Sequence, residues 1–152
     1  MYLITDRTQA DVDSAIEIIN GKVKKKQALS TSDIETLERG TITINTLNRI
    51  EEKQAELKVL FDSQGYYTPF IVNKHWTDDD IFGEGDFQRI INNTYLLRNA
   101  FYVYMTTPKT VSMDYTYKNM NDLERILFDL NRMMDYVVFN YKQCDTFYCG
   151  EA

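Results

Sequence analysis

The side chains best suited to chemistry in this sequence are His75, Cys144, Cys149 and an acidic group made of Asp78, Asp79, Asp80, Glu84 and Asp86. Nucleophilic catalysis needs a Ser, Cys or Thr within hydrogen-bond reach of a base. The chain offers 1 histidine for that role, beside Trp76 in a stretch that reads as a loop. A lone histidine of this kind is more often a surface or packing residue than a partner for Cys144 or Cys149. The acidic group lacks the alternating ligands and terminal Glu of a calcium loop. It is expected to solvate its loop and to favour the start of the following helix, with no metal. Gly83-Glu84-Gly85 has an acid between its glycines and no Lys-Ser/Thr after them, so it reads as a turn rather than a phosphate cradle. No carboxylate pair stands out for glycoside hydrolysis. The expectation is a protein without catalytic residues, cofactor or metal.

The elements that would position any site are clearer. At 152 residues the chain fits a single domain able to bury most of its apolar surface without metals or crosslinks. Hydrophobic residues make up 43% and charged residues 26%, near the globular norm. A net charge of −6 argues against a non-specific phosphate-backbone binder, so no nucleic acid is expected. The longest apolar runs, such as Tyr136-Val137-Val138-Phe139, fall far short of a membrane span of about 20 residues, so no membrane partner is expected. Two cysteines and no secretory leader pattern point to an intracellular site of synthesis without a disulfide framework. Aromatic residues reach 13%, and several rings are expected at the surface or in partner contacts.

Periodicity predicts a first helix over about 8–20, capped by Thr8 with Asp11 and carrying Val12, Ala15, Ile16 and Ile19 inward. Asn20-Gly21 should end it in the left-handed conformation. A two-turn helix follows, with caps available at Ser30 to Asp33 and Gly40 at its end. Residues 41–44 suit an extended segment, after which Asn45 or Thr46 caps a long helix bearing Leu47, Ile50, Leu57, Leu60 and Phe61. Gly65 closes that helix, and the stretch 66–84 is too long for a simple bundle loop, so it should pack on the body or reach a neighbour. A third long helix begins near Gly85-Asp86 and presents Phe87, Ile90, Ile91, Leu97 and Phe101. Residues 106–118 read as extended chain or a short edge strand. Asn119 or Asn121 then caps the last helix, whose stripe of Leu123, Ile126, Leu127, Leu130, Met133, Met134, Val137, Val138 and Tyr141 is the most apolar in the chain. Phe128, Tyr136 and Phe139 widen it, which marks this helix as central.

The chain also repeats itself. Thr46-Leu47-Asn48-Arg49-Ile50, Asp86-Phe87-Gln88-Arg89-Ile90 and Asp122-Leu123-Glu124-Arg125-Ile126 align without gaps. The position eight residues after each Arg is Leu57, Leu97 and Met133, so the register persists for two further turns. Each copy is a helix start with an apolar anchor followed by Arg and Ile. Arg49, Arg89 and Arg125 are expected to pair with Asp86, Asp122 or adjacent helix starts; the functional alternative is that they bridge to carboxylates on neighbouring subunits.

The opening Thr5-Asp6-Arg7-Thr8-Gln9-Ala10-Asp11-Val12, with Asn45-Thr46-Leu47-Asn48-Arg49-Ile50-Glu51 downstream, resembles small tail-region or baseplate-associated proteins encoded by bacteriophages and prophages of Gram-positive bacteria. In that group the second motif often begins with an acid; here Thr46 stands in its place, while Asp86 and Asp122 hold it in the later copies. The resemblance covers about the first 60 residues. It implies a virion component made in the host cytoplasm, linking tail, baseplate or fibre proteins, and present in several copies. A soluble adaptor or regulatory protein binding one host or phage protein is the alternative. Either role would use Tyr66, Tyr67, Trp76, Tyr102, Tyr104, Tyr115 and Tyr117 as contact residues. The expected fold is mainly α: a small bundle with three related long helices, a helical N-terminal hairpin over about 6–40, a repeated-helix core over about 41–143 with extended arms that could pair as short β segments, and a tail over 144–152.

Overall fold

The computed structural model describes residues 2–72 and 75–144, the side chains of 141–144 excepted. The fold is mainly α, and no strand occurs among the described residues, so of the two readings of 106–118, extended chain or a short edge strand, the structure takes the first. Helix α1 spans Gln9–Ile18, and a π-helical turn Ile19–Val23 extends it. Helices α2, Thr31–Gly40, α3, Ile44–Ser63, α4, Glu84–Ala100, and α5, Tyr117–Cys144, follow.

Local sequence explains most helix starts. The Thr8 hydroxyl accepts from the Asp11 N–H while the Asp11 carboxylate accepts the Thr8 N–H, and Ser30 with Asp33 repeats this reciprocal box at α2. Thr43, rather than Asn45 or Thr46, caps α3, because its hydroxyl reaches the Thr46 N–H at 3.2 Å. At α5 the Thr116 hydroxyl accepts from the Asn119 N–H at 3.3 Å, ahead of both expected Asn caps, Asn119 and Asn121. The first helix does not stop at Asn20-Gly21. It continues through the π turn, and the left-handed residue is Lys26, φ 54°. Gly65, φ 84°, closes α3 as expected.

The three long helices run in the same direction. Glu51 lies at Arg89, and Gln54 donates to the Ile90 carbonyl at 2.7 Å and to the Thr94 hydroxyl at 2.8 Å, so α3 and α4 advance together. Returning along a 20-residue helix of about 30 Å takes about nine extended residues, which is why 64–83 and 101–116 are long. The first arm runs back down α3 from Tyr66 beside Phe61 to Trp76 at Asn48. The second runs back down α4: the Pro108 carbonyl accepts from Arg98, Val111 meets the Tyr95 hydroxyl, and Tyr115 stacks on Phe87 at 4.7 Å.

Leu47, Ile50, Leu57 and Phe61 from α3, Phe87, Ile90, Ile91 and Leu97 from α4, and Leu123, Ile126, Leu127, Leu130 and Met134 from α5 form one core. Each such burial contributes about 1.5–3 kcal/mol. Two ring groups pin the arms to it. Phe61, Tyr66 and Phe101 meet at one end of the body, and Trp76, Phe82, Phe87 and Tyr115 at the other. The hairpin of α1 and α2 closes through Gly40, where a Cβ would come within 2.2 Å of the Asp11 carbonyl oxygen.

Candidate partner-binding surface

The repeated arginines are committed inside the chain. Glu124, fully buried at the start of α5, accepts from Arg7 at 2.6 Å, from Arg49 at 3.1 Å and from the Ile4 N–H at 2.5 Å. Asn121 adds a reciprocal pair with the Arg7 backbone, donating at 2.9 Å and accepting at 3.0 Å. Two guanidinium groups on one buried carboxylate thus lock the N-terminal arm and α3 onto α5. Arg89 pairs with Glu51 of α3, also fully buried, and with Asp86 of its own first turn at 3.4 Å. Its pKa is raised, first by the hydrogen bond to Glu51. The third copy differs: the Arg125 Nε lies 3.1 Å from Asp129 of the same helix, off the line of a hydrogen bond, while the Thr107 hydroxyl donates to the other Asp129 oxygen at 2.6 Å. Asp122 is half-buried, with no ion pair among the described residues.

The aromatic contact candidates separate into two kinds. Trp76 is 6% exposed, and its indole N–H donates to Glu51 at 2.5 Å, so it is a core residue and offers nothing to a partner. Tyr66 is half-buried against Phe61 and Phe101. Tyr67 and Tyr102 are about four-fifths exposed at 79% and 81%, and Tyr104 and Tyr115 are partly so. Tyr115 and the half-buried Tyr117 wall a cleft of about 450 Å³ between the hairpin and the start of α5. Val12, Ile42 and Met120 line it, and Arg39 and Lys118 bring positive charge to it. Arg39 is engaged with Asp11 at 3.0 Å and Asp6 at 3.2 Å, which leaves Lys118 as the less committed cation. A cleft of this make-up can take an apolar side chain with an acid beside it.

His75 is exposed. Asp80 accepts from the Thr77 N–H and hydroxyl in a turn, Asp86 accepts from the Gly83 N–H, and Asp78 and Asp79 face solvent. No group of three metal-ligating side chains occurs among the described residues. Cys149 and the Cys144 side chain lie outside what is described, as does the tail from 145.

Sequence reasoning passed over the outer side of α5. This helix has 28 residues, about 42 Å, against 20 in α3 and 17 in α4, and Met134 is the last buried residue among those of its side chains that are described. Phe128, Tyr136 and Phe139 were the available signal, because they broaden the apolar stripe beyond one face. They are exposed by 38%, 64% and 60%. No helix among the described residues is long and apolar enough to cross a membrane. Comparison with protein-family models, curated proteins and solved structures finds no match to the chain.

Proposed function

We propose that this chain is a structural component of a larger assembly, acting through exposed rings on a rigid helical frame and not through chemistry. The observation that carries this reading is the concentration of large exposed apolar side chains on the arms and on the far half of α5: Tyr67, Ile71, Tyr102 and Met105 on the former, Tyr136 and Phe139 on the latter. Surfaces of this kind are typical of protein contacts. The more specific reading, a tail or baseplate protein of a bacteriophage of Gram-positive hosts that joins other tail or fibre proteins in several copies of itself, rests on the resemblance of Thr5–Val12 and Asn45–Glu51. Those residues supply the Thr8–Asp11 cap, Arg7, Arg49 and Glu51, so what they share with that group is framework. The chain is expected in purified particles, in fixed proportion to tail proteins, when these are analysed by quantitative mass spectrometry. Recovery only from the particle-free lysate would count against it.

The cleft walled by Tyr115 and Tyr117 favours a second reading, a soluble adaptor that accepts one apolar, acid-bearing segment of a host or phage protein. That reading expects a single partner in pull-downs from lysate, lost on Tyr117→Ala, and no chain in the particles.

A further inference from the structure

Phe128, Arg132, Asp135 and Phe139 follow one another along α5 at steps of four, three and four residues. At 3.6 residues per turn they fall within roughly 60° of one another, on the side of the helix opposite the buried Leu130 and Met134. All four are exposed. This stripe is therefore not part of the core that α5 shares with α3 and α4.

Its chemistry is palindromic. Read forwards the order is apolar, positive, negative, apolar; read backwards it is apolar, negative, positive, apolar, at the same spacing. A second copy laid antiparallel about a two-fold axis between Arg132 and Asp135 sets each Arg132 opposite an Asp135 and each Phe128 opposite a Phe139. A parallel copy would set Arg against Arg and Asp against Asp. Both charges have only weaker contacts among the described residues: the Arg132 guanidinium lies over Tyr104 at 5.8 Å and Phe128 at 5.9 Å, and Asp135 accepts from the Asn131 amide at 2.8 Å. Neither takes part in an ion pair among the described residues. The two ring contacts restrict the Arg132 side chain before any partner arrives, which lowers the cost of pairing it.

We infer that the outer face of α5 is a homodimerisation surface, on which two copies of this chain pair antiparallel through Phe128, Arg132, Asp135 and Phe139. The two phenylalanine pairs close off the ends of the stripe, and the crossed ion pairs between them set direction and register. The inference rests on the assembly reading only in requiring more than one copy.

Sedimentation equilibrium of the full chain tests it, with the expected mass twice 17.9 kDa. Arg132→Asp and Asp135→Arg each place like charges across both crossed positions and should raise the dimer dissociation constant roughly 10–30-fold. The double exchange, Arg132→Asp with Asp135→Arg, restores the pairing, and an equimolar mixture of the two single variants forms a heterodimer. Far-UV circular dichroism checks that helix content is unchanged, as expected for exposed positions. A wild-type monomer at about 100 µM overturns the inference. So does a dimer indifferent to the single reversals, or a double exchange that fails to recover it. A monomer that still enters particles sinks the pairing and leaves the assembly reading standing; a charge-dependent dimer absent from particles does the reverse.

Discussion

In the hairpin of α1 and α2 the groups that hold the chain lie near the surface, whereas in the three-helix body they are buried. The hairpin relies on two capping boxes, on Arg39 bridging Asp6 and Asp11, and on Lys22 at Asp33, while Ile16 and Ile34 remain about half exposed at 48% and 45%. Ala15 and Gly40 supply its close contact. The body relies on a continuous apolar core and on two fully buried carboxylates, Glu51 held by Arg89 and the Trp76 indole and Glu124 held by Arg7 and Arg49. Exposed pairs contribute little because water screens them, while a buried pair is costly to break because the surviving charge has no solvent. The hairpin should therefore open locally, and the body should unfold as a unit.

The largest effect is expected from Glu124→Gln, which leaves Arg7 and Arg49 buried without a counter-charge. Loss of one partner of a buried cluster costs about 3–5 kcal/mol, so the urea midpoint of the whole chain should fall sharply. A midpoint shift confined to the N-terminal arm would break the view of Glu124 as the joint of the body. Next comes Gly40→Ala, whose Cβ would meet the Asp11 carbonyl oxygen at 2.2 Å and the Ala15 Cβ at 2.4 Å. Parting α1 from α2 should cost the hairpin about 1–3 kcal/mol. Amide exchange should quicken in α1 and α2 and stay unchanged in α3 to α5; quickening throughout would show that the two regions are not independent.

The smallest effect is on acidification. Arg39, then Thr8, holds Asp11 at a pKa of about 2, down from the ordinary 3.8, and Lys22, then the Ser30 backbone, holds Asp33 at about 2 as well. A carboxylate lowered on folding contributes stability that is complete above its unfolded pKa and is lost as pH falls through the folded one. Amide protection in the hairpin should therefore decline between about pH 4 and pH 2, and Asp11→Asn with Asp33→Asn should flatten that decline. A hairpin whose protection does not change across this window would show that the boxes contribute nothing beyond helix propensity.

Much of the hairpin was legible in the sequence because its devices are local. Thr8 with Asp11 depends on residues three apart, and the stripes of α3, α4 and α5 are periodic; at α2 the sequence offered four candidate caps, Ser30 to Asp33, and the structure uses Ser30 with Asp33. Misplaced boundaries came from local competition: the hydroxyls of Thr43 and Thr116 took the capping roles given to Asn45, Asn119 or Asn121, and the π turn carried the first helix past Gly21. The candidate surface was less legible. Tyr67 and Tyr102 do lie open, but Trp76 turned inward to Glu51, an acid 25 residues away whose burial no local pattern marks. Phe128 and Phe139 were noticed as apolar, yet whether an apolar residue at the edge of a stripe is covered depends on where neighbouring helices end.

A mainly helical chain, the three related helix starts with their Arg-Ile step, the Thr8–Asp11 cap and the need for long connections are all written in the sequence. Each follows from hydrogen bonds and periodicity within a few residues. Packing, by contrast, is what sets the three helices parallel, brings Arg49 to Glu124 across 75 residues and Arg89 to Glu51 across 38, and leaves Tyr136 and Phe139 of α5 open. Those outcomes depend on helix lengths compared with one another and on charges that meet only after packing, quantities that no window along the chain contains.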